Sequence, residues 1–242
     1  MAAVHPDRLA HNLQVRTSAL LGLQKVELFK GLDSFSLREI AAQCKWTRCR
    51  RNQYVIRRGG TDRDVYFVIA GQLRVTAAAG RGRRIIFCDV AAGEVFGEHS
   101  AIDGRPHFAD VQALHESLLA SMSPASFHAI VASHPAVRER LLRRLTGSVR
   151  ELADRLLERG AQPAQRRIWV ELLRFARLGA AGSGMVRIEP APTHSDIASR
   201  VGTSREQVTR ELSRLARQGL LGREGRALVL PDVAGLERLS GE

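Results

Sequence analysis

THSDIASRVGTSREQVTRELSRL, residues 193–215, reads as two helices around a tight turn. The first spans Ser195–Arg200 and turns Ile197, Ala198 and Val201 inward, with Ala198 small where two helices must cross closely. Gly202 supplies the turn, where a left-handed backbone is expected. Thr203 or Ser204 then caps the second helix. On that helix Val208, Leu212 and Leu215 form an apolar stripe, while Arg205, Glu206, Gln207, Thr209, Arg210 and Arg214 occupy the outer faces.

The outer face has the chemistry of base readout. Arg205 and Arg210 can each fork onto guanine O6 and N7, and Glu206 can accept from cytosine N4. Thr203, Ser204 and Thr209 can reach phosphates, and Gln207 belongs to the same candidate surface. Past the helix, Gly219–Arg226 followed by Ala227–Leu230 reads as a hairpin, the wing of a winged helix-turn-helix. The alternative is a plain helical hairpin with a solvated charged face. The small residue, turn glycine, cap, basic face and wing together favour double-stranded DNA as the partner.

Upstream, Arg167–Arg177 reads as a helix with Ile168, Leu172, Leu173 and Phe175 inward, and Gly179–Gly184 as a small-residue turn. Gly160-Ala161-Gln162-Pro163 marks a hinge. Over 136–159, Leu142, Leu145, Val149, Leu152 and Leu156 recur at alternating spacings of three and four, an a/d seam flanked by Arg and Glu. One reading buries that seam on the chain's own core; the sharper one pairs it with a second copy.

From about Gln53 to Met122 short β-rich runs alternate with glycines: Tyr54–Ile56, Val65–Ile69, Gln72–Thr76, Arg84–Cys88, Val95–Gly97, Ala109–Leu114 and Ser117–Met122. That spacing predicts an antiparallel sandwich or barrel. Ser36 and Glu39 have capping-box spacing, so a short helix is expected to start at Ser36. Residues 1–21 read as an irregular or helical lead-in.

Composition agrees with the DNA reading. The 242 residues carry 37 Lys+Arg against 25 Asp+Glu, a formal charge of +12, which points to a polyanionic partner. Apolar residues at 44% are enough to build a core. Apolar runs such as Val65–Ala70 fall far short of the roughly 20 residues that cross a bilayer, so no membrane partner is expected. The first residues lack a secretory apolar core. Three cysteines, Cys44, Cys49 and Cys88, make no disulfide framework, and a cytoplasmic location follows. Cys44 and Cys49 read as buried structural thiols, with a redox or metal pair the alternative. No metal site is assigned. No paired-carboxylate, Ser-His-Asp or phosphate-loop signature points to an enzyme, and Gly80–Arg84 lacks the phosphate-loop spacing.

Four segments in order resemble the Crp/Fnr (catabolite activator/fumarate-nitrate regulator) superfamily of bacterial transcription factors: Leu28–Leu32, Val65–Gly71, Gly93–Glu98 and Val201–Arg210. The resemblance covers about residues 26–240. It implies an α+β chain with an N-terminal antiparallel β-roll of the cyclic-nucleotide-binding-like type (1–134), a long dimerisation helix and hinge (135–162) and a C-terminal winged helix-turn-helix (163–242). It further implies a homodimer on a palindrome of TGTGA-like half-sites, with Arg205 and Arg210 on guanines, Glu206 on the paired cytosine, and RNA polymerase as a further partner. Recognition helices would then lie about 34 Å apart.

The effector side departs from the family pattern. Cyclic-nucleotide-binding members follow Phe-Gly-Glu with Arg-Ser-Ala. Here Gly97 and Glu98 are kept, but His107 stands for the phosphate-binding Arg and Phe108 for the Ser, with Arg105 just upstream. The dipeptide that meets the purine is Leu152-Ala153. A cyclic phosphate would lose its charge-assisted pair, so cyclic AMP is a doubtful effector. An iron–sulfur cluster is not expected, because no cysteine precedes Cys44. Haem bordered by His99 and His107 stays open, as does a closed pocket packed by Phe108 and Leu152.

Overall fold

A computed structural model describes residues 21–80, 84–179 and 184–241. The expected lead-in over 1–21 lies almost wholly outside them, as do parts of the Gly80–Arg84 and Gly179–Gly184 turns. The chain forms two compact units, one running to Ala77 and resuming over Phe87–Gly147, the other holding Ala78–Ile86 and the residues from Ser148 on.

The first unit contains β1 (Lys45–Cys49), β2 (Tyr54–Ile56), β3 (Val65–Ala70), β4 (Gln72–Ala78), β5 (Arg84–Ala91), β6 (Val95–Phe96), β7 (Asp110–Ala113) and β8 (Ser117–Met122), with β4 and β5 reaching past its limits. They make two four-stranded sheets, in the orders β1-β8-β3-β6 and β2-β7-β4-β5, with the central pairings antiparallel. Strand β3 is an unbroken apolar run because both of its faces are buried. Val65 and Phe67 join a core built with Leu23, Phe29, Leu37, Ile40 and Phe127, while Val68 joins a core built with Leu73, Val75, Val111 and Leu119. Phe29 brings the Leu28–Leu32 segment onto this sheet, its ring 4.8 Å from that of Phe67.

The helices of this unit are α1 (Ser34–Gln43), α2 (Glu98–Asp103), α3 (Pro124–Ser133) and the first half of α4 (Pro135–Ala161). The expected start of α1 at Ser36 is corrected. The cap is Asp33, whose carboxylate accepts from the backbone N–H of Phe35 and Ser36 at 2.8 and 3.0 Å, so the helix begins at Ser34. Strand β1 was not expected from its sequence. Cys44 packs on the first core and Cys49 in the second, so the two thiols serve different cores. Burial pushes the Cys44 thiol up to about 12 and also raises Cys49.

The second unit carries the end of α4, then α5 (Ala164–Gly179), β9 (Val186–Ile188), α6 (His194–Val201), α7 (Arg205–Arg217), β10 (Gly222–Glu224), β11 (Ala227–Leu230) and α8 (Val233–Ser240). Its core joins Ile168, Leu172 and Leu173 of α5 to Ile197, Val208, Leu212, Leu215 and Leu230. Phe175, expected inward, is only half-buried against this core. The wing hairpin β10-β11 gains a third strand, β9, on the far side of β11. The architecture is mixed α+β, antiparallel sheets first and a helix-turn-helix last. Among the described residues no helix is long and apolar enough to cross a membrane.

Phe67 is fully buried. Phe67→Ala is expected to cost about 3–5 kcal/mol, read as a lowered urea midpoint for the transition of the first unit.

Candidate nucleic-acid interface and effector pocket

Helix α6 begins at Thr193, whose hydroxyl accepts from the Asp196 N–H at 3.1 Å. It ends at Gly202, whose φ of 72° and ψ of 50° put it in the left-handed region that a side chain would strain. The N–H groups of Gly202 and Thr203 both return to the Ala198 carbonyl, at 3.0 and 3.1 Å. The cap on α7 is Ser204, whose hydroxyl accepts from the Gln207 N–H at 3.2 Å. Thr203, the other candidate cap, instead hydrogen-bonds the Gln207 side chain. Val208, Leu212 and Leu215 are buried as expected.

This leaves Arg205, Glu206, Thr209 and Arg210 exposed on one side of α7, one turn apart in pairs, with Thr203 and Gln207 half-buried beside them. The Glu206 carboxyl is held below its ordinary value by its own backbone N–H and the Ser204 hydroxyl, with Arg205 and Arg210 adding to this. It is therefore an anion, an acceptor only. Arg214 is corrected: it is half-buried, not part of the free outer face. Its Nε and Nη2 bond Glu211 at 3.1 and 2.8 Å, and its guanidinium lies 5.3 Å from the Trp169 ring centre. Burial of Glu211 opposes its ionisation, but the bonds from Arg214 and from Trp169 Nε1 (2.6 Å) outweigh that and lower its pKa.

In the first unit, Gly97 (φ 86°) opens α2, and a Cβ there would sit 2.6 Å from the Asp64 carbonyl. Glu98 is buried, with Arg144 Nε at 3.3 Å and His99 Nδ1 at 3.7 Å. Arg144 also donates to the Val95 carbonyl at 2.6 Å. His107 is buried, its Nδ1 2.9 Å from Ser100 Oγ, and its Nε2 has no hydrogen-bond partner among the described residues. Burial lowers its pKa and Arg63 adds to that, against the opposing pull of Asp62. It is thus a neutral ring facing inward. Phe108 is 52% exposed, with its ring edge-on to Phe87 and to half-exposed His99 at 5.8 and 5.5 Å.

Gly97, Glu98, His99, His107 and Phe108 thus share one corner. Leu152 and Ala153 are exposed on α4 in the other unit. Along α4, Leu142, Val149, Leu152 and Leu156 form an exposed apolar row, while Leu145 packs partly on the first core. Sequence reasoning missed Arg144 and Ser100, the partners of Glu98 and His107, because each lies on a different turn or element from the group it serves.

Residues 46–134 match the cyclic nucleotide-binding domain family, and residues 151–239 match the Crp-like helix-turn-helix domain family. The chain is 26% identical over 217 residues to the CRP-like cAMP-activated global transcriptional regulator of Mycobacterium tuberculosis, covering 89% of this chain and 97% of that one. It is similar to the structure of FixK2 from Bradyrhizobium japonicum, with a TM-score of 0.70 and 27% identity over 81% of this chain and 96% of that one. A CooA mutant from Carboxydothermus hydrogenoformans shares the fold at a TM-score of 0.74 and 21% identity, over 90% of this chain and 95% of that one.

The depressed His107 pKa has a definite sign. The folded state resists protonation, so this residue's contribution to stability is full above the unfolded value of about 6.5 and falls on acidification through it. The His107 ring is expected to titrate below 6.5 by NMR, and His107→Gln to lose less stability than the parent chain between about pH 7.5 and pH 5.5.

Proposed function

The chain belongs to the Crp/Fnr superfamily of transcription regulators, and from that premise we infer that it is a homodimeric, sequence-specific DNA-binding regulator reading a TGTGA-like palindrome. The observation that carries this reading is the exposed face of α7. Arg205, Glu206 and Arg210 stand free of the core on a helix whose opposite side is buried and whose start is capped. Arg205 and Arg210 fork onto guanines, Glu206 accepts from the paired cytosine, and Thr203, Ser204 and Gln207 hold the backbone, with Thr209, whose hydroxyl donates to the Arg205 carbonyl, beside them.

The dimer forms along the row of Leu142, Val149, Leu152 and Leu156. Four large apolar side chains at this spacing are left uncovered by their own chain, and a second copy of α4 buries them. The functional division is a β-roll over 1–134, the dimer helix and hinge over 135–162 and the DNA-binding domain over 163–242. The protein acts in the cytoplasm, with RNA polymerase as its further partner. Gating is a shift between two dimer arrangements, biased at the Gly97–Phe108 corner and relayed along α4.

At the effector corner neutral His107 stands for the usual phosphate arginine and is turned to Ser100, and Arg144 is engaged by Glu98, so neither offers a free cation to a cyclic phosphate. Constitutive DNA binding, or an effector other than a cyclic nucleotide, follows. The second reading, cyclic-nucleotide gating through a modified pocket, draws on the retained Gly97-Glu98 pair and on the mycobacterial relative named as cAMP-activated.

Fluorescence anisotropy on a TGTGA–N6–TCACA duplex at fixed salt, with and without cyclic AMP or cyclic GMP, separates the two. Specific binding without nucleotide supports the first reading, and binding only with nucleotide supports the second. Arg205→Ala should lose about 1–3 kcal/mol of base discrimination per half-site while remaining a folded dimer. Undiminished preference for the palindrome in that variant would overturn the docking.

A further inference from the structure

His194 lies at the start of α6, outside every role assigned above. It is half-buried, and its Nδ1 is 2.7 Å from Thr209 Oγ1 on α7. The Thr209 hydroxyl has one proton, which it donates to the Arg205 carbonyl at 3.0 Å. With that proton on the carbonyl, Thr209 Oγ1 meets His194 as an acceptor and Nδ1 carries the hydrogen, the tautomer this inference takes. The neutral ring's other nitrogen, Nε2, then carries a lone pair. A lone pair repels a phosphate oxygen, whereas a protonated Nε2–H donates to one.

We propose that His194 is a proton-linked phosphate contact: DNA binding adds a proton to Nε2, and the resulting imidazolium pairs with a backbone phosphate beside α7. The step balances simply. One solvent proton is taken up on binding, an N–H bond forms at Nε2, and the ring gains one positive charge against the phosphate. This rests on the reading of α7 as the DNA-facing helix.

The surroundings favour a neutral ring in free protein. Burial lowers the His194 pKa first, then the charges of Arg205 on α7 and Arg223 on β10 lower it further. The acid nearest in sequence is Asp196, on the same helix, with its backbone N–H on Thr193. When phosphates arrive, the repulsion from Arg205 and Arg223 is screened and an anion faces the ring, so its pKa rises. His194 is neutral in the free form and cationic in the bound form between the two values. Affinity must fall as pH rises through that window, by up to about tenfold per pH unit for one proton.

The same contact positions the readout. The chain from His194 to Thr209 to the Arg205 carbonyl ties α6 to the first turn of α7, where the base-reading residues start. A phosphate contact carries no sequence information, so the pH effect should appear on scrambled duplex as well as on the palindrome.

The test is anisotropy with the full chain at constant ionic strength from about pH 5.5 to pH 8.5, under whichever nucleotide condition gives specific binding. The parent chain should bind more weakly as pH rises, and His194→Gln, which keeps a neutral donor, should give a flatter profile. At about pH 6 the parent should also show a salt slope steeper than His194→Gln by about 0.9, the share of one phosphate. Calorimetry in two buffers of different ionisation enthalpy reads proton uptake on the unmodified chain and does not depend on the variant folding. Specific binding with no proton uptake, or an unchanged pH slope in His194→Gln, overturns this inference alone. No preference for the palindrome at any pH overturns the reading of α7, and this inference with it.

Discussion

Glu171 is the residue around which the second unit is organised. It is 1% exposed, and an unpaired carboxylate at that depth would be too costly to keep ionised. Arg174 Nη1 lies 3.4 Å from it, Arg155 Nη1 3.8 Å and Arg200 Nε 3.8 Å. Glu158 then takes Arg174 on both oxygens. These five charges come from α4, α5 and α6, so three helices share one buried polar centre. Such a centre adds little net stability over an apolar core, but losing one member leaves a buried charge unmatched. Two further arginines finish the job at the break after α4: Arg159 reaches the Arg200 carbonyl at 3.2 Å, and Arg167 bonds the carbonyls of Val201 and Gln162 at 3.0 and 2.6 Å. They satisfy carbonyls that a helix end leaves open. With α6 held at its C-terminus, the left-handed turn at Gly202 determines where α7 points.

Helix α4 contributes residues to both units. Its Arg144 answers the buried Glu98 of the effector corner, and its Arg155 and Glu158 enter the centre around Glu171. Along the same helix Leu142, Val149, Leu152 and Leu156 are exposed.

Much of this was legible because the signals were local. The α6–turn–α7 segment is specified by two caps, one glycine and an apolar stripe, each within a few residues of what it acts on. Strand β3 was legible from an uninterrupted apolar run ended by Gly71, and β8 from its apolar residues Leu118–Ala120 and Met122 before the cap at Ser123. The elements that escaped have no such mark. Strand β1, Lys45–Cys49, is mostly exposed, polar on one side and paired only with β8, so nothing in its composition sets it apart from a loop. Strand β9 has three residues and exists because β11 has a free edge. The start of α1 was misplaced because Ser36 and Glu39 imitate a capping box, while Asp33 offers a stronger acceptor to two N–H groups.

What the sequence by itself determined is the helix-turn-helix with its wing, the longer strands, the polarity of α7 and the absence of an arginine at His107, since period, capping and residue identity are properties of short stretches. Tertiary structure alone decided which charges remain free. Arg205, Arg210 and Arg214 look alike in sequence, yet Glu211 and Trp169 hold Arg214 half-buried and leave the other two exposed. Glu98 and His107 looked like a modified pocket, and their partners Arg144 and Ser100 decide that one is a neutralised anion and the other an uncharged ring. The reason is the same in each case. A side chain's charge and availability depend on what long-range folding brings within about 4 Å of it, and pairwise electrostatics at that range outweigh local propensity.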